Sequence, residues 1–392
     1  MKYAAAIIVI LVFLFFNRDK NHFHIENNKG AYKLVSPQGK AFFSLGVTHI
    51  GALTYPNSMP LFKNKYENRW DLAAKEIHKN LMGWEFNTAG YGAPKALRQL
   101  IPFMMPCQPL LKNSSWLDKR GFSYADVFDA AVQKTILDKL EQMTSVKDNP
   151  NLIGYYWTDM PMWNLKTSKE KFGTNWVEYI KNLPKNSAGR MRYEAYIKNC
   201  ELNQGEPTEE DFLIIIAREY YQLIGTHTRK LDPNTLIFGE RYAMNRVPIS
   251  VLKEALPYID VVSIQPNDCS FNKNYFRNLH QITKKPILIC DHQCSFPTET
   301  HKHTMWKQLE DQTVAANSYK DYIEAAVKEP YLIGYHRCQY IDRYNHKNDL
   351  LKQGMVREDG TAYEPYTKTV TSSNKAVKAI FDENRHWEID NN

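Results

Sequence analysis

The sequence predicts an α/β fold, a (β/α)8 TIM barrel, on three observations. Short runs rich in Ile, Val, Phe and Tyr recur eight times, at 41–47, 85–89, 103–106, 152–157, 235–239, 260–265, 286–290 and 331–339. Amphipathic stretches lie between them at 70–82, 127–143, 209–231, 251–255, 275–282 and 306–327. No G-x-G-x-x-G turn follows any run, so the open doubly wound sheet, the other architecture of alternating strands and helices, lacks its usual cofactor signature. Eight strand-helix repeats favour the closed parallel barrel.

Taken in order, the elements agree with that fold. Lys33-Leu34-Val35 and the turn Pro37-Gln38-Gly39 read as a hairpin closing the barrel floor. The runs themselves are continuously apolar, as parallel strands buried on both faces require. In the stretch 209–231, Phe212, Ile215, Ile216, Tyr220 and Leu223 recur at steps of three and four and form one buried stripe. After the fourth run, 161–207 is too long for a simple connection and carries Trp163, Trp176, Tyr179, Tyr193 and Tyr196. It predicts an aromatic-rich insertion over the barrel mouth.

With 43% hydrophobic and 24% charged residues the chain is not disordered, collagen-like or coiled coil. A net charge of +7 is scattered along the chain, without a basic tract of the kind that binds nucleic acid. Residues 3–16 carry no charge, which is short of the ~20 residues of a membrane span but fits the apolar part of a signal peptide. No small-x-small cleavage site precedes Asn17, so an uncleaved signal anchor competes. The expected organisation is a signal peptide or anchor at 1–20 and one domain over 21–392. Either form of the segment places the protein outside the cytoplasm, secreted or periplasmic, with the membrane touched only through that anchor. The six cysteines show neither a CxxC pair nor the spacing of a stapled domain, and mostly free, buried thiols are expected.

Reacting groups in a parallel barrel come from the C-terminal strand ends, and polar residues gather there. They are His49 after the first run, Asn87 after the second, Asp159 after the fourth, Glu240, Arg241 and Tyr242 after the fifth, Gln265 after the sixth, Asp291 and His292 after the seventh, and His336 and Arg337 along the eighth. Carboxylates with aromatic neighbours suit a sugar site, because glycoside cleavage needs two carboxyl groups and flat rings pack on sugar CH faces. Asp159 is the candidate acid/base and Asp291 the candidate nucleophile, with Glu240 in reserve. His49, Asn87, Arg241, Gln265, His292, His336 and Arg337 would line the sugar subsites, and Tyr156, Trp157, Trp163 and Tyr242 would stack on sugars. Arg241, Arg246, Arg337 and Arg343 near the mouth would suit sulfate groups. No cofactor is expected, and no metal, since neither an H-x-H at the first strand nor an H-E-x-x-H helix is present. Two alternatives stay open: a catalytically silent glycan-binding barrel, and a metal-dependent hydrolase or isomerase built on His49, Asp159, Glu240, Asp291, His292 and His336.

Several motifs are familiar. Residues 39–47, the run Leu152-Ile153-Gly154-Tyr155-Tyr156-Trp157-Thr158-Asp159-Met160-Pro161-Met162-Trp163, residues 260–266, Lys285-Pro286-Ile287-Leu288-Ile289 with Asp291, and 333–342 followed by 352–356 resemble clan A retaining glycoside hydrolases, and most of all their β-agarase-like branch. The resemblance implies an agarase-like enzyme acting on an algal galactan of the agarose, porphyran or carrageenan type, with the polysaccharide or its oligosaccharides as partner. It also implies an Asn-Glu pair at the fourth strand end, and here Asp159 stands at the Asn and Met160 at the Glu. Asp291 stands where the nucleophilic Glu is implied. A thioether transfers no proton, so the acid/base falls to Asp159 or Glu240, or the barrel binds glycans without cleaving them.

Overall fold

The computed structural model describes residues 21–107 and 110–384. The proposed export segment, 1–20, lies outside them.

Eight stretches form one parallel sheet: Ser44–Val47, Thr88–Ala89, Phe103–Pro106, Leu152–Tyr156, a fifth stretch in two pieces (Leu236–Ile237 and Arg241–Ala243), Val262–Gln265, Ile287–His292 and Leu332–Arg337. They are called the first to eighth strands below. The eighth strand pairs with the first, and the sheet's two edges are the two pieces of the fifth strand, so the sheet curls into a TIM-like barrel. The pieces are separated only by Phe238-Gly239-Glu240, where Gly239 takes a φ of 65°, a conformation that costs glycine little. Beyond the last ladder pair of the fourth strand, Asp159 bridges to Arg241.

The floor is built as the hairpin reading expects, with one strand more. His24–Asn28, Ala31–Val35 and Ala41–Phe42 make a small antiparallel sheet. Its Tyr32 N–H donates to the Pro330 carbonyl and its phenol to that of Lys284, on the segments that lead into the eighth and seventh strands.

Around the barrel run Trp70–Gly83, Ala130–Thr144, Glu209–Leu231, Ile249–Ala255, Lys273–Thr283, Gln312–Val327 and Glu364–Asn384, and a 3-10 turn at Lys95–Gln99 stands between the second and third strands. The helix expected from 306 starts at Gln312 because Asp311 caps it, accepting from the N–H groups of Thr313 and Val314. The second strand is shorter than its apolar run because Glu85 adopts φ 63° after the preceding helix, and the ladder starts only at Thr88.

Residues 161–207 hold three helices, Leu165–Phe172, Trp176–Lys181 and Ala188–Leu202. Trp163 stacks on Trp176 at 4.6 Å and both are buried, against Tyr220 of the long helix Glu209–Leu231. These indoles are core of the helical layer. Among the described residues no helix is long and apolar enough to cross a membrane.

One disulfide joins Cys269 to Cys294, tying the loop after the sixth strand to the loop after the seventh. This corrects the expectation for that pair. Cys107, Cys290 and Cys338 are free and buried, and Cys200 is free and partly exposed.

Candidate active site

Successive residues of a strand face opposite sides, and this parity sorts the strand-end groups into two sets. Arg241, Asp291 and His336 face the barrel interior. Their neighbours Glu240, His292 and Arg337 face the helices.

The inner set centres on Arg241, which is fully buried. Its Nη1 donates to Asp159 Oδ1 at 2.9 Å and its Nη2 meets Asp291 Oδ2 at 2.8 Å, so one guanidinium fork holds both aspartates. Tyr91 lies under it with the ring centroid 3.8 Å from the guanidinium carbon, a cation-π contact in a water-poor site. Gln265 adds a donor to Asp159 Oδ1 at 2.8 Å. The other oxygen of Asp159 has no hydrogen-bond partner among the described residues.

Asp291 is held by several donors, the Cys338 thiol among them. Thr48 Oγ1 donates to Oδ1 at 2.8 Å, and Arg241 and His49 Nε2 (3.2 Å) meet Oδ2. Burial alone would raise its pKa, but the positive charge of Arg241, with the hydrogen bond from His49 and the charge of Lys352, holds it well below the ordinary carboxylate value. Its ionised form is therefore favoured. His49 stands in the left-handed region at φ 53°, with its ring edge-on to Tyr91. Burial, reinforced by Lys352, lowers its pKa to about 4, so at neutral pH it is an uncharged donor to Asp291.

Below this layer His336 Nε2 meets Ser44 Oγ at 2.9 Å, and burial first, then Arg241, brings its pKa down to about 3. Gly46 and Gly90 make room for it, since a Cβ on either would sit 2.5 or 2.9 Å from the imidazole. The Tyr156 ring lies 5.7 Å from the Arg241 guanidinium and is buried.

The other candidates lie elsewhere. Glu240 is fully buried between the barrel and the helix Glu209–Leu231, where its Oε2 accepts from Trp163 Nε1 at 2.9 Å and from the Tyr221 phenol at 2.5 Å. Trp157 donates through Nε1 to Thr228, and Tyr242 meets the Tyr221 hydroxyl at 3.0 Å. His292 stacks on Tyr322 and meets Tyr335 and the Asp268 carbonyl. Arg337 is bonded to Tyr366. Asn87 sits before the second strand and clips it to the first, accepting from the Leu45 N–H and donating to the Phe43 carbonyl. Thus His49, Asp159, Arg241, Gln265 and Asp291 come together over His336 and Tyr156, while Asn87, Trp157, Trp163, Glu240, Tyr242, His292 and Arg337 do not join them.

Sequence reasoning missed Tyr91 and Lys352. The tyrosine follows a strand only two residues long, and the lysine sits in a hairpin past the eighth strand, so neither carries a strand-end signal.

Donor atoms of His49, Asp291 and Cys338 lie within 4.8 Å of one another. This set suits a divalent cation poorly, because Arg241 already neutralises Asp291, Lys352 adds a second positive charge, and burial pushes the Cys338 thiol up to about 12.

Burial raises the Glu240 pKa to about 7, against hydrogen bonds from Tyr221 and Trp163 that pull it down. A raised pKa stabilises the fold fully below the unfolded value near 4.5 and is lost as pH rises through about 7. Glu240→Gln, which stays neutral, should therefore gain on the wild type by about 3 kcal/mol between pH 4.5 and 7.5. Thermal melts across that range read the difference, and a pH-independent gap would show that Glu240 is ionised in the fold.

No family model matches the chain. It is 25% identical over 227 residues to β-agarase B of Vibrio sp. (strain JT0107), a stretch covering 57% of this chain and 22% of that protein. Among solved structures it resembles the agarase AgWH50C, with a TM-score of 0.74 and 18% identity over 92% of this chain and 64% of that one. An exo-β-agarase gives a TM-score of 0.77 and 16% identity over 93% and 65%. The chain thus spans about a fifth of the curated relative and just under two thirds of these two structures. The likeness to the agarase-like branch of clan A that the strand-end motifs carry is a distant one, and it extends through the fold of the barrel.

Proposed function

We propose that the chain is an exported glycoside hydrolase, a single (β/α)8 domain over 21–392 that cleaves an agar-type galactan with two carboxylates. Asp291 acts as nucleophile and Asp159 as acid/base. The observation that carries this reading is the pair of aspartates on one guanidinium at the C-terminal end of the barrel. The surroundings of Asp291 favour its anion. Asp159 keeps one oxygen unbonded and is 13% exposed at its side chain, so a leaving-group oxygen has access to it. Met160, at the place of the implied Glu, adopts φ 49° and bonds through its backbone N–H to the Arg241 carbonyl. That turn lets Asp159 point at the fork. Glu240, on the helix side, has no part in the chemistry, and the sugar is an agar-type galactan by similarity to the agarases. Neither step needs a Lewis acid.

Reducing-end release from agarose, porphyran, carrageenans and neutral β-glucans tests the reading. Cleavage of at least one galactan is expected. Cleavage confined to β-glucans would refute the sugar class, and binding without cleavage would leave a silent glycan-binding barrel, the outcome that Met160 favours.

A further inference from the structure

The hairpin after the eighth strand carries two cations, of which Lys352 acts on Asp291 and His49 while Arg343 has no part in the chemistry above. Its strands, Arg343–Asn345 and Leu350–Lys352, run antiparallel with Arg343 directly opposite Lys352, and opposite residues share a face. Like charges so placed repel, and Lys352 is only 7% exposed, where lysine is rare without a partner. Among the described residues neither side chain forms an ion pair or donates a hydrogen bond. The acid at the hairpin tip, Asp349, is taken by the Tyr344 phenol, and Tyr344, paired with Leu351, belongs to the opposite face.

Both cations border the active site. Lys352 stands near enough to His49, Asp291 and Cys338 for its charge to act on all three. The Arg343 guanidinium lies 5.4 Å from the ring of Tyr55. Tyr55 is 42% exposed, and its phenol acts on that of Tyr91, the ring beneath Arg241. An exposed aromatic ring thus contacts Arg343, which stands opposite the buried Lys352 beside the active site. Of the four arginines that suggested sulfate in the sequence, Arg241 is occupied by the aspartates and Arg337 by Tyr366. Arg246 and Arg343 form no ion pair among the described residues, and Arg343 is the one opposite Lys352.

We propose that Tyr55, Arg343 and Lys352 form a subsite for an anionic substituent, a sulfate ester or a carboxylate, on the sugar chain that the barrel binds. Tyr55 takes the CH face of the sugar. Arg343 presents a planar fork to two oxygens of the anion, and Lys352 adds a point charge from below. The proposal rests on the glycan reading above and narrows it to charged galactans.

The test is calorimetric binding to the full chain at low salt with three probes of equal length: neutral agarose oligosaccharides, sulfated porphyran oligosaccharides, and oligosaccharides bearing galacturonate. The wild type should bind one charged probe at least ~10-fold more tightly than the neutral one. Which charged probe it prefers identifies the substituent. In Arg343→Gln this ratio should fall toward one, while Arg343→Lys should keep part of it. Tyr55→Ala, at an exposed position, should weaken all probes together. Equal affinity of the wild type for neutral and charged probes would overturn the subsite and leave the glycan reading standing. An unchanged ratio in folded Arg343→Gln would also overturn it. No binding of any probe would remove both.

Discussion

Asp291→Asn should lower turnover by at least ~10²-fold. In the role proposed for it Asp291 has to be ionised, which Arg241 at 2.8 Å favours, with Thr48 and His49 also bonded to it. All three partners present donors, given that His49 is uncharged with its proton on Nε2. An amide at 291 that keeps its oxygen toward Arg241 and His49 turns its NH2 toward the Thr48 hydroxyl, which can rotate to accept it. Exchanging charge-assisted for neutral hydrogen bonds in a buried site costs ~1 to 3 kcal/mol, and Arg241 loses one of its two counter-charges. The variant will melt earlier as well as turn over more slowly, so its rate has to be measured well below its melting temperature. Asp291→Ala with added azide separates the two effects. Azide entering the vacated space should restore cleavage and leave a glycosyl azide, which a purely structural role would not produce. Wild-type-like turnover in folded Asp291→Asn would end the assignment. Asp159→Asn should lose a comparable factor, most of it for substrates with poor leaving groups, because an amide cannot give up the proton that the departing oxygen needs.

The sequence made the barrel legible because parallel strands buried on both faces read as uninterrupted apolar runs. The polar residue after such a run marks the mouth, which is how Asp159, Arg241, Gln265, Asp291 and His49 could be gathered before any coordinates. Polarity at a strand end does not say which side a residue faces. Glu240 and Arg241 are adjacent and both charged, yet one meets Tyr221 and the other Asp291. The same parity separates His292 from Asp291 and Arg337 from His336. One signal was available for Glu240: the helix 209–231 carries the pair Tyr220-Tyr221 on its buried stripe, phenols able to hold a buried acid. Asn87 was misplaced because the apolar run 85–89 includes the turn that precedes a two-residue strand. The Cys269–Cys294 bond was legible in principle, since the sixth and seventh strands pair side by side and both cysteines lie just beyond their ends.

Arg241→Met should have the second large effect, and it asks why two reacting aspartates would share one guanidinium. Two carboxyl groups close together in a poorly solvated site tend to share one proton, which splits their pKa values and makes each dependent on the other. A buried cation between them relieves that repulsion and favours the ionised state of Asp291, while the fork leaves one Asp159 oxygen free. Replacing Arg241 by an apolar side chain of similar length leaves the buried Asp291 and the partly exposed Asp159 without it, and breaking a buried ion pair in this way costs about 3 to 5 kcal/mol. The pH dependence gives the sharper reading. Asp291 is depressed in the fold, so it contributes stability above its unfolded pKa near 3.8 that disappears as pH falls through the folded value. Without Arg241 burial dominates and the folded pKa rises. Acid unfolding should then begin at higher pH, and the acidic limb of kcat/KM should move up with it. Arg241→Lys keeps a charge but cannot fork to both carboxylates, and its acidic limb should fall between the two. An acidic limb unmoved in folded Arg241→Met would mean that Thr48, His49 and Lys352 suffice to keep Asp291 ionised, leaving the guanidinium a structural clamp.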